Sequence, residues 1–226
     1  MNQSTTSATG TTTRTRRRRG SLGREVILDA AEAVASDGFD TLSMRAVAGH
    51  LGAVPMALYN HFGTKDEMVD ALLDRVLGRF EPPPASEDWI EDLRRFAHAH
   101  RRVLEDHPWA VAPLFGRPNP GLSSVRIGEV ALEVLRRGGL TGADAVAIFS
   151  GVVALNYGWA SFTAARALDP AGRGTLVSRA LADLPAEQFP LTTEVAAALG
   201  SYGSPEHYDL VLDRLLLGLR TTNPPA

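Results

Sequence analysis

At 226 residues the chain is long enough for one or two domains, and 44% hydrophobic against 22% charged content is the composition of a protein that buries a core. It contains no cysteine, which excludes disulfide frameworks, thiolate zinc sites and cysteine nucleophiles. The net charge of −3 is unevenly spread: Arg14, Arg16, Arg17, Arg18, Arg19 and Arg24 give the first 24 residues +6 with no acid, so the remainder carries −9. A basic arm on an acidic body is expected where one end of a chain meets a polyanion.

Residues 1–20 are Thr, Ser, Gly and Arg with almost no apolar content, and they read as a disordered arm. The arm has no apolar segment of the kind that directs secretion, so a cytoplasmic address is expected. From Arg24 onward the pattern is helical. Ile27, Ala30, Ala31 and Val34 recur at three- and four-residue spacing, and Gly38 is expected to end that helix in the αL region. A short helix capped by Ser43 runs to about His50, a tight turn follows at Leu51-Gly52, and a second short helix covers about 54–60. Thr64-Lys65-Asp66-Glu67 has the form of a capping box and opens a helix to about Phe80. Pro82-Pro83-Pro84 then places a domain boundary, giving an arm at 1–20, a domain at 21–81 and another at 82–226.

Beyond the prolines, helices are expected at about 87–106, 109–115, 122–138, 142–167, 174–183, 190–199 and 205–220. Ser204-Pro205-Glu206 starts the last one with a capping serine and a first-turn proline. Strand alternation bounded by hairpin dipeptides is missing, so the fold class is all-α.

The sharpest motif is residues 43–62, SMRAVAGHLGAVPMALYNHF. Counted from Met44 as the first residue of a helix-turn-helix, Ala48 is the fifth, Gly52 the ninth and Leu58 the fifteenth. The fifth must be small because the second helix crosses close over it, and the ninth must accept positive φ. Val47, Leu51 and Leu58 can seal the two helices together. Pro55, Met56, Ala57, Tyr59, Asn60 and His61 are then on or near the outward face, where a major groove could be read. The same spacing fits any glycine-bearing turn between two helices.

Residues 24–69 resemble the N-terminal DNA-binding domain of the TetR family. The resemblance rests on Leu42 to Ala48, Leu51-Gly52, Leu58-Tyr59-Asn60-His61-Phe62 and Lys65-Asp66-Glu67-Met68. It continues more weakly through Trp89, His107-Pro108, Arg117-Pro118 and the segment around Gly138-Gly139-Leu140, which is similar to the ligand domain of the tetracycline-repressor branch. The resemblance implies an N-terminal three-helix helix-turn-helix domain followed by a larger helical effector-binding and dimerisation domain. It assigns phosphate contacts to Ser43, Tyr59, His61 and Lys65 around the start of the motif at Met44, and base-facing positions to Pro55, Met56, Ala57 and Asn60. Arg45 becomes the candidate for a bidentate contact to guanine. Packing within the small domain is the alternative for Tyr59 and His61, and an exposed cap position the alternative for Lys65.

Residues 25–65 hold Arg45 and Lys65 against Glu25, Asp29, Glu32, Asp37 and Asp40, an acidic balance in a segment that has to meet phosphates. The arm, above all Arg16 to Arg19, is therefore expected on the DNA backbone or in the flanking minor groove, with a solvated arm of no role as the alternative.

Residues 145–165 form an uncharged run of 21 residues, long enough to span a bilayer. Ser150, Asn156, Tyr157, Ser161 and Thr163 interrupt it, so burial between core and partner subunit is preferred over a membrane. The resemblance implies that this helix and the last one (Tyr208, Val211, Leu212, Leu215, Leu216, Leu219) form a four-helix homodimer interface. It also implies an effector cavity lined by Phe96, His100, Val103, Pro113, Leu114, Arg117, Phe149, Val152 and Asn156. Tetracycline repressors hold magnesium through a histidine where this chain has Pro113. An organic, largely apolar effector is expected instead, with no metal or cofactor. His98 and His100, two residues apart on a helix, diverge too far to share an ion. Nucleotide-binding glycine loops, nucleophile elbows and zinc-protease motifs are missing, so no enzyme is expected. The combined reading is a homodimeric repressor of double-stranded operator DNA, with an activator, an effectorless regulator or a small-molecule enzyme as alternatives.

Overall fold

The computed structural model describes residues 22–117, 121–167 and 173–222, and these are helical with no strand among them. The arm, with Arg16 to Arg19, lies outside the described residues, as does Pro118. The elements are α1 (Arg24–Ser36), a 3-10 turn (Phe39–Thr41), α2 (Met44–Leu51), α3 (Pro55–Tyr59), α4 (Lys65–Leu77), α5 (Trp89–Asp106), α6 (Pro108–Gly116) and α7 (Leu122–Arg137). They continue with α8 (Gly142–Ala167), α9 (Arg173–Ala182), α10 (Pro190–Glu194), α11 (Ala196–Gly200) and α12 (Pro205–Thr222).

The first four helices close around one apolar set: Ile27 and Ala31 of α1, Val47 and Ala48 of α2, Leu58 of α3, Phe62, and Met68, Leu72 and Val76 of α4 are all buried. Ser43 caps α2 by accepting from the Ala46 N–H at 3.1 Å. Gly52 ends it at φ 64°, ψ 30°, the left-handed geometry the helix-turn-helix spacing demanded.

Four local details differ from the sequence expectation. Gly38 has positive φ but extended ψ (141°, 123°) rather than αL, because the Thr41 hydroxyl donates back to Val34 O and Gly38 O and winds the next residues into the 3-10 turn. Thr64 accepts from the Glu67 N–H at 3.0 Å as a cap should. The Glu67 carboxylate, however, takes the Gly63 N–H at 2.8 Å, one residue ahead of the capping-box position. Helix α4 stops at Leu77 instead of Phe80, where Asp74 accepts from the Ser123 N–H at 2.9 Å and docks the start of α7. The helix expected over 190–199 breaks at Val195, and the Ser178 hydroxyl of α9 donates to the freed Ala196 carbonyl at 3.0 Å.

Residues 80–88 carry no helix. Asp92 of α5 fastens this stretch: it is buried, accepts from the Ser86 N–H at 2.9 Å and from Arg137 at 2.5 Å, and also pairs with Arg95. Burial pushes the Asp92 carboxyl up, but Ser86 and Arg137 outweigh that and hold it well below the usual carboxylate range. Helix α5 is central, packing against α6, α7, α8 and α12, while α6 also reaches α1 and α4.

Candidate DNA-binding surface and effector site

The candidate recognition surface is built from two short helices: Ser43 and Gly52 cap α2, whereas Val54 gives α3 no side-chain cap. Pro55 opens α3 with φ already set for a helix, and Leu58 is its one fully buried side chain. That anchor turns the rest outward: Met56 is 71% exposed, and Pro55, Tyr59 and Asn60 are exposed beside it, with Ala57 and His61 half-buried. Arg45 and Lys65 flank the patch, exposed and without an ion-pair partner among the described residues. Val54, also exposed, extends the patch by one apolar residue that the sequence reading did not include. Met44 is a correction: its side chain is only 6% exposed and belongs to the core.

Two arginines behave differently from the sequence expectation. Arg24, counted with the basic arm, is the first residue of α1. Its guanidinium lies 4.0 Å over the Phe62 ring and donates to His61 O at 2.5 Å and to Glu67 at 3.0 Å. This charge is used inside the fold, and the hydrogen bond from Arg24, with that from the Gly63 N–H, holds the Glu67 carboxyl below its ordinary value. Arg117, expected in the effector cavity, instead reaches α4, at 2.8 Å from Asp66 and 3.7 Å from Asp70. The acidic balance of residues 25–65 is likewise reduced from outside that window: Arg75 pairs with Asp29 and Glu25, and Arg79 with Glu32.

Of the remaining effector candidates, Phe96, His100, Phe149 and Asn156 meet one another, the first three as part of an aromatic cluster. Phe96 stacks on His100 with centroids 6.2 Å apart, and Phe149 lies 6.5 Å from Phe96. Tyr157 meets His100 edge-on at 5.8 Å, and Phe115 lies 6.0 Å from Tyr157. Neither Tyr157 nor Phe115 was among the sequence candidates, although their aromaticity within a weakly polar run was the available signal. Leu114, Pro113 and Val152 are buried in the same core, whereas Val103 also borders a cleft of about 240 Å³ with Arg79, Arg102 and His107.

Asn156 is fully buried at the centre of a polar chain. Its amide nitrogen donates to Ala97 O at 2.9 Å and to His100 Nδ1 at 3.0 Å, and its oxygen accepts from the Tyr208 hydroxyl at 2.6 Å. Tyr208 itself sits under the Arg101 guanidinium, 4.0 Å from its ring. His98 points the other way, to Asp209 at 3.3 Å. Because His100 Nδ1 accepts, the ring is neutral with its proton on Nε2, and burial lowers its pKa to about 4. An unfolded histidine titrates near 6.5, so between about pH 6.5 and 4 the unfolded chain takes a proton that the folded chain refuses. Stability is therefore expected to fall as the pH drops through that window, by up to ~3 kcal/mol from this group. Urea midpoints at pH 7.5 and 5.0 should separate more for the wild type than for His100→Gln; equal separations would contradict the assignment.

Comparison with known proteins decides the family. The model of the family "Bacterial regulatory proteins, tetR family" matches residues 27–72, and that of "Tetracyclin repressor-like, C-terminal domain" matches residues 81–223. The chain belongs to the TetR family of transcriptional regulators. It is 32% identical over 202 residues to an HTH-type transcriptional regulator of Saccharopolyspora erythraea, spanning 88% of this chain and 84% of that one. A repressor of Mycobacterium tuberculosis shares 33% identity over 147 residues, 62% of this chain and 56% of its own length. Among solved structures, ActR of Streptomyces coelicolor without ligand superposes with a TM-score of 0.82 at 26% identity, covering 90% of this chain and 97% of ActR. ActR in complex with actinorhodin gives the same score, identity and coverage. As in other TetR-family members, an N-terminal helix-turn-helix domain precedes a larger helical C-terminal part.

Proposed function

We propose that this TetR-family regulator represses transcription by binding a palindromic operator as a homodimer, and that a small, largely apolar organic effector releases it. The observation that carries the reading is the α2–α3 unit: Gly52 at φ 64° sets the turn, Leu58 anchors α3, and Pro55, Met56, Tyr59 and Asn60 face outward between Arg45 and Lys65. In this reading Pro55, Met56, Ala57 and Asn60 meet base edges, Arg45 a guanine, and Ser43, Tyr59, His61 and Lys65 phosphates. The chain works in the cytoplasm without catalysis, with the domain division at the proline segment.

The dimer reading draws on α8. Gly142–Ala164 is long and apolar enough to cross a membrane, with a mean hydropathy of 1.4, yet only 28% of its apolar window is buried. Its open face is a stripe of small residues, Ala147, Ser150, Gly151, Ala154, Gly158 and Ser161, which would let a second helix approach closely. On α12, Tyr208, Leu212 and Leu216 face the chain's own core, a correction to their expected place at the interface. Leu215, with the half-buried Val211 and Leu219, remains for a partner. A two-fold dimer of this kind presents two α3 helices to successive major grooves.

The effector reading draws on the aromatic cluster around His100 and on the ActR–actinorhodin complex of a structural relative. Release needs only a ligand that prefers the non-binding arrangement of α4, and reciprocity then makes DNA weaken the ligand equally. The contribution of the arm is testable separately. Deleting residues 1–19 should weaken operator binding about tenfold near 0.1 M salt and flatten the dependence of log K on log salt. Unchanged affinity and slope in anisotropy titrations would remove the arm from the DNA interface.

A further inference from the structure

The first turn of α4 has an electrostatic peculiarity. Lys65 is followed by Asp66, Glu67 and Asp70, three exposed carboxylates on the segment that the reading above turns toward phosphates. Unpaired acids there would repel the operator. Each is paired with arginine. Glu67 is held by Arg24 at 3.0 Å, from the start of α1 within the same DNA-binding unit. Asp66 and Asp70 are held by Arg117, at 2.8 and 3.7 Å, from the C-terminal end of α6. The first compensation is internal to the DNA-binding helices, whereas the second is supplied by the effector half.

We propose that Arg117 is a positioning and charge-shielding residue for operator binding. It offsets one of the two negative charges of Asp66 and Asp70 at the edge of the DNA interface without touching DNA, and operator affinity falls when its guanidinium leaves. The residue ends a helix whose Leu114 and Pro113 are buried in the C-terminal core, so a displacement of that helix end changes the charge the phosphates meet. The effect adds to any change in the spacing of the recognition helices. This inference rests on the operator-binding reading of the α4 start.

The test is a charge cycle in the full chain, read by anisotropy on a fluorescein-labelled duplex recovered from random-sequence selection with the wild-type protein. Arg117→Gln should weaken binding roughly fivefold near 0.1 M salt, with the deficit shrinking as salt rises. The double variant Asp66→Asn/Asp70→Asn should bind at least as tightly as wild type, because it leaves Arg117 as an uncompensated cation. Adding Arg117→Gln to that background should return affinity close to wild type. A purely structural tie predicts the opposite sign, since either side of a broken tie would weaken binding and the combination would not recover. A direct phosphate contact by Arg117 predicts a salt slope lower by about one in Arg117→Gln that the asparagines do not restore. Either pattern overturns the proposal. Thermal melts of each variant exclude misfolding as the source of a loss. A wild-type chain that enriches no sequence overturns the operator reading itself and this inference with it. Enrichment without the sign reversal overturns the shield alone.

Discussion

Asn156→Leu is expected to cost about 4 kcal/mol of stability near neutral pH, among the largest effects of any single substitution in the C-terminal half. Asn156 is 0% exposed and joins three helices: α8 carries it, α5 supplies His100 and the Ala97 carbonyl, and α12 supplies the Tyr208 hydroxyl. Leucine matches its size but satisfies none of these groups. The Ala97 carbonyl sits within the α5 helix, so its loss weighs little. The Tyr208 hydroxyl and His100 Nδ1 are stranded in apolar surroundings, at ~1–3 kcal/mol each. Removing the stranded partner as well should recover part of the loss, because an apolar pair replaces a half-satisfied one; Asn156→Leu/Tyr208→Phe is the variant to compare. Urea denaturation of the three proteins measures both quantities. A loss below about 1 kcal/mol, or no recovery in the double variant, would mean the network is not what fixes α12 against α5 and α8.

Gly138→Ala is the second large effect, expected near 3 kcal/mol. The backbone at Gly138 lies against the Trp89 indole so closely that a Cβ there would stand 2.4 Å from Cε2, 2.5 Å from Cδ2 and 2.7 Å from Cε3. These are atoms at the middle of a rigid ring, so no side-chain tip can swing aside. The ring or the end of α7 must move. Trp89 is the first residue of α5, immediately after the stretch that Asp92 fastens through Ser86, so displacement would also loosen the connection from the DNA-binding helices. A melting temperature lowered by about 8 °C is expected. Trp89→Ala/Gly138→Ala should melt no lower than Trp89→Ala alone, since the methyl group then enters vacated space. An unaltered melting temperature for Gly138→Ala would contradict the packing.

The helices and the motif were legible in the sequence because both are local. Spacings of three and four residues place Ile27 and Ala31 on one face, Ser43 and Thr64 are cap residues in type and position, and Gly52 is the one residue of the turn that accepts αL without strain. The errors come from contacts between distant parts of the chain. Arg24 reads as part of a basic arm until Glu67 and Phe62, about 40 residues away, are brought against it. Arg117 is 51 residues from Asp66, and no local pattern distinguishes a cavity-lining arginine from one that reaches α4. Helix α12 is apolar on two stripes, so spacing alone does not say that Tyr208, Leu212 and Leu216 face the chain's own core. The same limit explains Met44, whose position at the motif start says nothing of which way its side chain turns.

The central claim, that the α2–α3 unit reads a palindrome as a dimer, is tested most directly by random-sequence selection with the purified full chain. The recovered duplex would then be titrated by anisotropy against scrambled competitor at several salt concentrations. The account predicts enrichment of an inverted repeat, two chains bound per duplex, resistance to scrambled competitor, and log K falling linearly with log salt. Enrichment of no sequence, or binding that scrambled DNA displaces equally well, would contradict it.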